Sequence, residues 1–210
     1  SVQALELPDM SSVQAIEATP ESDTAFLSTE SYLTPQQLWL VGESEQPRKV
    51  KSAPARFKAS DLVTEQLWAK SPDGTHIPYF VVHRKAMKPN GLNPTLLTAY
   101  GGFQVSYTPS YSPEVGKLWL ERGGVYVVAN IRGGGEFGPQ WHEAGRKAGR
   151  QKVYDDFAAV GQDLVARHIT TPQHLGIRGR SHGGLLAGVG MLQHPTISNA
   201  GDSGFPLLDM

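Results

Sequence analysis

The sequence contains no cysteine among its 210 residues. Disulfide bonds, a thiolate nucleophile and thiolate metal ligands are therefore excluded, although this absence does not identify the cellular compartment. An excess of charge of one sign is also lacking, because 19 basic and 20 acidic residues give a net charge of −1. Nucleic acids and anionic membranes require a concentrated basic face, so we expect neither as a partner.

Long apolar runs are missing as well. The longest, Val125 to Ala129, is far shorter than the roughly 20 residues that span a bilayer, and no charged-then-apolar leader opens the chain. We therefore expect no membrane partner. The first residue is Ser1 rather than Met, which is typical of a processed or partial chain. A cytoplasmic location is favoured, and periplasmic or secreted locations stay open.

Two regions of different character follow each other along the chain. Residues 1–58 carry short apolar pieces separated by Pro, Ser, Thr, Glu and Gly, which predicts small antiparallel strands. Residues 59–210 begin with strand-like segments at 62–70 and 75–83, joined at 71–74 by Ser-Pro-Asp-Gly, a sequence that suits a type I turn. Later, strands alternate with helices. This alternation predicts an α/β fold, with a mainly parallel sheet and helices on both faces.

Three later segments have clear periodicity. Residues 124–132 form the best predicted strand, and residues 112–122 place apolar side chains on one helical face. Residues 153–168 repeat apolar side chains with a helical period. Asp155 and Asp156 lie near the predicted positive end of that helix, where negative charge is stabilising, so we assign them no chemistry.

The most informative stretch is Gly179-Arg180-Ser181-His182-Gly183. A nucleophile on a sharp strand-to-helix turn needs this spacing, because side chains two residues before and after the serine would collide where strand and helix cross. The flanks supply the required context. Leu175 and Ile177 alternate with smaller or polar residues as in a short strand, and residues 183–192 predict a buried helix that stops before Pro195.

Three further stretches precede this serine motif. They are Ala99-Tyr100-Gly101-Gly102-Phe103, the segment Ala-Asn-Ile-Arg-Gly-Gly-Gly-Glu-Phe-Gly at 129–138, and Tyr154-Asp155-Asp156-Phe157. Together with the serine motif and the Gly184-Leu185-Leu186 that follows it, their order and approximate spacing resemble the prolyl oligopeptidase family of serine peptidases. The resemblance covers roughly residues 55–210, and residues 1–54 resemble the final blade of that family's β-propeller.

The resemblance implies a fold and an activity. The family cleaves short peptides, typically after proline, with an α/β-hydrolase domain and a propeller that restricts the entry of large substrates. Residues 1–58 would then be the last propeller blade, and residues 59–210 the N-terminal part of the catalytic domain. The expected partners are a short peptide substrate and the remainder of the protein's own chain, that is, further propeller blades and the C-terminal half of the catalytic domain.

The resemblance also implies residue roles. Ser181 would be the nucleophile, while the hydroxyl of Tyr100 and the backbone N–H of His182 would donate to the oxyanion. Phe103 would help to line the apolar pocket for the residue before the cut. Neither a metal nor a cofactor is expected.

Two features depart from the family pattern. The residue after the serine is usually asparagine in proline-specific members, and here it is His182, so proline specificity is less secure than peptidase chemistry. The strand expected before Pro206 is usually strongly apolar, whereas residues 200–205 are mostly small or polar. We therefore expect weak packing of that strand.

The catalytic triad is incomplete in this sequence. In α/β-hydrolases the acid and then the histidine follow the serine, and only 29 residues follow Ser181. His182 lies within the turn and His194 ends the helix that leads away, so neither is expected to act as the base. Asp202 and Asp209 come too early for the acid. We therefore expect a fragment that is inactive, or nearly so, by itself.

Other interpretations of the sequence carry less support. An esterase or acyl-peptide hydrolase of the same fold and a noncatalytic hydrolase-like scaffold both stay open. The glycines at 133, 135 and 138 mimic a dinucleotide-binding loop, but Pro139 follows at once and the downstream acids begin a helix. Residues 201–204, Gly-Asp-Ser-Gly, resemble a trypsin-like serine motif without the all-β context it needs. His142 begins a zinc-protease pattern whose second histidine position holds Arg146.

Overall fold

The computed structural model describes residues 4–42 and 46–208. The chain divides into two compact units, one formed by residues 1–60 with 108–118 and the other by residues 61–107 with 119–210. Within the described residues, no helix combines the length and the apolar character that crossing a membrane would require.

The first unit is built on an antiparallel sheet of four strands in the order β1-β2-β3-β4. The strands are Ser11–Ala18, Ala25–Ser31, Gln37–Val41 and Arg48–Ser52. The antiparallel strands predicted for the first region are thus confirmed. The unit also contains the short helix α1, Pro113–Leu118.

Three contacts tie residues 108–118 to the rest of the first unit. The hydroxyl of Ser12 donates to the carbonyl of Pro109 at 2.6 Å. The ring of Tyr111 stacks on Phe57 with centroids 4.9 Å apart, and its hydroxyl accepts a hydrogen bond from the amide of Arg56 at 2.7 Å. A segment that lies between two strands of the second unit in sequence is therefore packed in the first.

The second unit contains a six-stranded sheet in the order β10-β9-β7-β8-β6-β5. Strands β7 to β10 run parallel, and β5 and β6 form an antiparallel hairpin whose second strand pairs with β8. The hairpin and the mainly parallel sheet are both confirmed. The strands are, in chain order, Leu62–Lys70, His76–Arg84, Thr95–Ala99, Val125–Ala129, Leu175–Arg180 and Ala200–Gly204.

Three helices belong to the second unit: α2 (Pro139–Ala144), α3 (Arg150–Ala166) and α4 (His182–Gln193). Helix α3 begins three residues before the predicted start at residue 153. The predicted helix over 112–122 ends at Leu118 and is followed by a 3₁₀ turn. Gly123 ends that turn in a left-handed conformation, and its amide donates to the carbonyl of Leu120. Apolar side chains of β6, β7, β8, β9, α3 and α4 form the core.

Strand β10 forms, although its composition predicted weak packing. Its first three residues are exposed, as suits the edge strand of the sheet, and Asp202 forms an ion pair with Arg178 on β9 at 3.1 Å. An added Cβ at Gly201 would collide with the side chain of Met191, so a small residue lets α4 pack closely against this strand. The exposed composition reflects the edge position of the strand.

A buried ion pair links α3 to the end of β8. Arg132 donates from Nε and Nη2 to the two carboxylate oxygens of Asp156 at 2.9 and 2.6 Å, and its backbone amide donates to the same carboxylate at 3.1 Å. The expectation that Asp156 is a charge at the end of a helix is therefore wrong. Because α3 begins at Arg150, Asp156 lies in its second turn with no exposed surface.

The hairpin turn between β5 and β6 joins the same cluster. The hydroxyl of Ser71 donates to Asp156 at 2.6 Å. Asp73 pairs with Arg132, and the guanidinium holds the pKa of the Asp73 carboxyl well below its usual range. One arginine therefore fixes the hairpin, the end of β8 and helix α3 relative to one another.

Replacing Asp156 by asparagine should reduce the free energy of unfolding by about 3–5 kcal/mol, since the change leaves the charge of buried Arg132 without its main partner. Glu143→Gln removes an exposed pair with Arg146 and should cost under about 1 kcal/mol. Urea denaturation of the two variants and the parent protein measures both effects. Equal losses for the two variants would contradict the structural role assigned to Asp156.

Candidate active site

The backbone makes a sharp turn between β9 and α4, and Ser181 lies at its tip. Ser181 has φ 55° and ψ −119°, a region that residues with a side chain rarely adopt, and it is exposed. An added Cβ at Gly179 would overlap the carbonyl of Gly183, and one at Gly183 would lie 2.8 Å from the carbonyl of Ala99. The glycine spacing that predicts a strand-turn-helix crossing therefore has its expected steric cause.

Backbone hydrogen bonds hold this turn in place. The amide of Ser181 donates to the carbonyl of Gly204 at 2.9 Å, and the amides of Gly184 and Leu185 donate to the carbonyl of Ser181 at 2.9 and 3.1 Å. As the first residue of α4, His182 carries an amide hydrogen that no carbonyl of the helix accepts. The positive end of the helix macrodipole lies at the same point.

Tyr100 lies at the same edge of the sheet as Ser181. Strands β7 and β9 pair in parallel with Thr98 opposite Arg178, and Tyr100 and Ser181 each follow shortly after that pair. The ring of Tyr100 stacks on Tyr107, with centroids 5.6 Å apart and an interplanar angle of 26°. This stacking fixes the phenol at the carboxyl ends of the parallel strands, where open α/β sheets bind their ligands.

The imidazole of His182 is buried, with 3% of its surface exposed. Its Nδ1 lies 2.8 Å from the carbonyl oxygen of Tyr100. The pKa of His182 is lowered, chiefly because burial disfavours the charged ring and also because Arg150 lies nearby. The ring is therefore neutral at pH 7 and is bonded to Tyr100, as a structural member of the site.

Phe103 presents an apolar surface beside this histidine. The residue is 62% exposed and has φ 52°, and the edge of its ring meets the His182 ring with centroids 5.5 Å apart. An exposed aromatic side chain held in a strained backbone conformation is typical of a binding surface. The structure thus gathers Tyr100, His182 and Phe103 in one region.

The glycine-rich loop after β8 supports the segment that carries Tyr100 and Phe103. Gly133 has φ 89°, and an added Cβ there would overlap the carbonyl of Gly101. The amide of Gln104 donates to the carbonyl of Gly133 at 3.3 Å, and Nδ1 of His142 lies 2.6 Å from the same oxygen. The glycine-rich loop therefore packs against the segment that carries Tyr100 and Phe103. The helix that follows the loop, α2, has only six residues.

The remaining candidate residues lie away from Ser181 or have other partners. Asp202 is paired with Arg178 on the exposed edge, and Asp209 lies outside the described residues. The hydroxyl of Ser203 donates to the carbonyl of Gly184 at 2.8 Å. Across residues 4–42 and 46–208, no three carboxylate or imidazole side chains are grouped as metal ligands would be.

Comparison with known proteins identifies the family. Residues 109–210 match the model of the prolyl oligopeptidase family. The chain belongs to this family of peptidases. Over 207 residues it is 54% identical to an uncharacterized peptidase of Sinorhizobium fredii, covering 98% of this chain and 28% of that protein. Over 213 residues it is 37% identical to the prolyl endopeptidase of Elizabethkingia meningoseptica, covering 100% of this chain and 30% of that protein.

Solved structures agree with this assignment. A post-proline cleaving enzyme from Rickettsia typhi superposes with a TM-score of 0.89 at 40% identity, over 98% of this chain and 30% of that one. Prolyl oligopeptidase B from Galerina marginata, solved with a 25mer macrocyclization substrate, gives 0.87 at 30% identity, over 93% of this chain and 28% of that one. The chain thus spans less than a third of the length of these family members.

Sequence reasoning missed two features of the site. Arg150 lies in the first turn of α3, beside His182, and belongs to none of the motifs. A cation at the start of a helix is a common surface feature, so no local signal distinguishes it. The motif at 154–157 was identified, but not the part of Asp156 in holding the loop through Arg132.

Replacing Gly179 by alanine should lower the thermal midpoint by an amount corresponding to about 1–3 kcal/mol or more, because its methyl group would overlap the Gly183 carbonyl. Gly188→Ala, in helix α4, is the matched control. Its added Cβ would lie 3.5 Å from the side chain of Leu208, an ordinary contact, and alanine favours the helix. That variant should be as stable as the parent or more stable, and a similar loss in both would refute the steric argument.

Proposed function

We propose that this chain is part of a serine peptidase that hydrolyses short peptides after proline through an acyl-enzyme on Ser181. The observation that carries the proposal is the exposed serine at φ 55°, held at the carboxyl end of a parallel sheet by two glycines and a helix N-terminus. Family membership supports peptidase chemistry, and relatives named prolyl endopeptidase support the preference for proline.

The first chemical step is attack of the Ser181 hydroxyl oxygen on the carbonyl carbon of the scissile peptide bond. A C–O bond forms, the serine proton passes to a general base, and the carbonyl oxygen becomes an oxyanion. Collapse of the tetrahedral intermediate breaks the C–N bond, and the amine leaves with a proton returned by the base. Water then repeats the sequence on the acyl-enzyme and releases the acid.

Two donors stabilise the oxyanion in this proposal. The helix-terminal amide of His182 and the residue Tyr100 lie at the edge of the sheet where Ser181 is exposed, and we assign the Tyr100 hydroxyl as the second donor. Such donors are already oriented before charge develops, and each is worth about 2.7–4 kcal/mol of transition-state stabilisation in systems where one has been removed. The stacking of Tyr100 on Tyr107 supplies this orientation.

In this proposal the general base comes from outside the described residues. The imidazole of His182 is bonded to the carbonyl of Tyr100, and His194 is the residue that caps the far end of α4. We therefore infer that the triad acid and histidine belong to the remainder of the chain and that this part alone is inactive or nearly so. Such a remainder, with further propeller blades and the rest of the catalytic domain, is the expected partner of this segment.

The substrate preference rests on Phe103 and on the relatives. Its exposed ring offers an apolar face for the residue that precedes the cut. A relative solved with a peptide substrate supports a peptide as the ligand. We also propose that residues 1–58 form the last blade of a propeller and that residues 59–210 begin the hydrolase domain.

A fluorophosphonate probe, which reacts covalently with activated serines, tests the nucleophile. The full-length protein should be labelled, and Ser181→Ala should abolish the labelling. Ser203→Ala is the matched control, because the Ser203 hydroxyl is bonded to a backbone carbonyl, and this variant should label like the parent. Labelling that survives in Ser181→Ala would overturn the assignment.

Paired fluorogenic peptides test the specificity. The full-length protein should cleave a peptide after proline at least about tenfold faster, measured as kcat/KM, than its alanine counterpart, since a filled apolar pocket discriminates by about 1–3 kcal/mol. Faster cleavage of the alanine peptide, or of a short acyl ester, would contradict the post-proline proposal while leaving the serine nucleophile intact.

A further inference from the structure

A cavity of about 570 Å³ lies beside the candidate active site, entirely within the second unit. It reaches from the glycine segment before Phe103 to the start of α3. Most of its larger side chains are aromatic or can carry positive charge, and none of the residues that line it is acidic. These side chains include Phe103, His142, Arg146, Lys147, Arg150 and His182.

The guanidinium of Arg150 is fixed in this cavity by neutral groups. Its Nη1 donates to the carbonyls of Gly101 and Gly145 at 3.2 and 3.4 Å. Its Nε donates to the hydroxyl of Tyr154 at 3.4 Å, and the guanidinium lies 5.6 Å from the centroid of that ring. Carbonyl and phenol oxygens orient the cation without neutralising its charge.

The remaining nitrogen of Arg150 has no acceptor in His182. Nη2 lies 3.4 Å from Nδ1 of that ring, but Nδ1 is also 2.8 Å from the carbonyl oxygen of Tyr100. A carbonyl oxygen can only accept, so Nδ1 must carry the proton. Two donors therefore face each other, and Nη2 retains hydrogens for a group in the cavity.

The neighbouring charges add to the same field. Lys147 lines the cavity with φ 47°, a left-handed conformation that is costly for a lysine, and Arg146 next to it pairs with the exposed Glu143. The cavity thus combines three permanent cations with one carboxylate at its rim. Such an excess of positive charge in a concave site favours an anionic ligand.

We propose that this cavity binds a carboxylate of the peptide substrate, with Arg150 as its principal partner and Lys147 as a second cation. The inference rests on the proposed peptidase function and names a class of substrate for it. Arginine suits the task because its planar donors match the two oxygens of a carboxylate. The carboxylate comes either from an acidic side chain near the cut or from the free C-terminus of a short peptide.

Peptide binding is measured with the full-length Ser181→Ala protein, so that cleavage through Ser181 does not affect the result. Fluorescence polarisation measures the dissociation constants of labelled proline peptides in two matched pairs. One pair exchanges glutamate for glutamine near the cut, and the other exchanges a free C-terminal carboxylate for an amide. At least one pair should favour the carboxylate by about tenfold, the size of a charge-assisted hydrogen bond partly screened by water.

In the Ser181→Ala protein, the further change Arg150→Gln should bring the ratio of the two dissociation constants in such a pair close to one. Lys152→Gln, which removes an equal charge from an exposed position of α3 that does not line the cavity, should leave the ratio unchanged. If Arg150→Gln does not fold, Lys147→Gln and raised ionic strength provide the second measurement, because both should reduce the preference.

Equal affinities for the two members of each peptide pair would overturn the proposal. A preference for the carboxylate that survives the loss of Arg150 and of Lys147 would overturn it as well. The peptidase function is judged separately, by cleavage of the neutral proline peptide with Ser181 intact. A protein that cleaves the neutral peptide but binds both members of each pair equally would refute the carboxylate site alone. A protein that binds the carboxylate tightly but cleaves nothing would refute only the proposed reaction.

Discussion

At the end of strand β9 the backbone crosses the start of helix α4 so closely that a side chain in place of Gly179 would overlap the carbonyl of Gly183. This steric constraint holds Ser181 at a positive φ of 55° and exposes it at the sheet edge. The same crossing points the first amides of the helix toward that edge. The exposed position of Ser181, the helix-terminal amide of His182 and the direction of the helix dipole all depend on it.

The backbone makes a second close approach nearby, between the segment at Gly101 and the glycine-rich loop at Gly133. That approach positions Tyr100 and Phe103 relative to the serine motif. Its far side is held by Arg132, whose backbone amide and side chain both bind Asp156. The candidate site at the sheet edge is therefore supported by a buried ion pair that lies outside it. Removing water from both charges makes the pair sensitive to the loss of either one.

Charge is distributed unevenly around this site. The cations Lys147 and Arg150 line the same cavity as Phe103 and His182. The neutral imidazole of His182 adds no charge to this cavity and is bonded to the backbone of Tyr100. In the proposed function, the field of these cations favours a substrate carboxylate, because that group is charged throughout binding.

Local sequence patterns were sufficient for the strands, the hairpin turn and the serine turn, because each depends on residues a few positions apart. Glycine spacing predicts the crossing at Ser181, since the collision that Gly179 avoids lies within five residues, whereas the one that Gly183 avoids, with Ala99, depends on strand order. Periodicity could not identify the partner of Asp156, because it reports that a helix face is buried and not which cation lies opposite, 24 positions away. Likewise, only the folded chain brings Arg150 to His182, 32 positions along, and places residues 108–118 in the first unit. The sequence by itself determined the backbone turns, whose sterics are local, and the tertiary structure decided the charge pairings, which depend on strand order and helix packing.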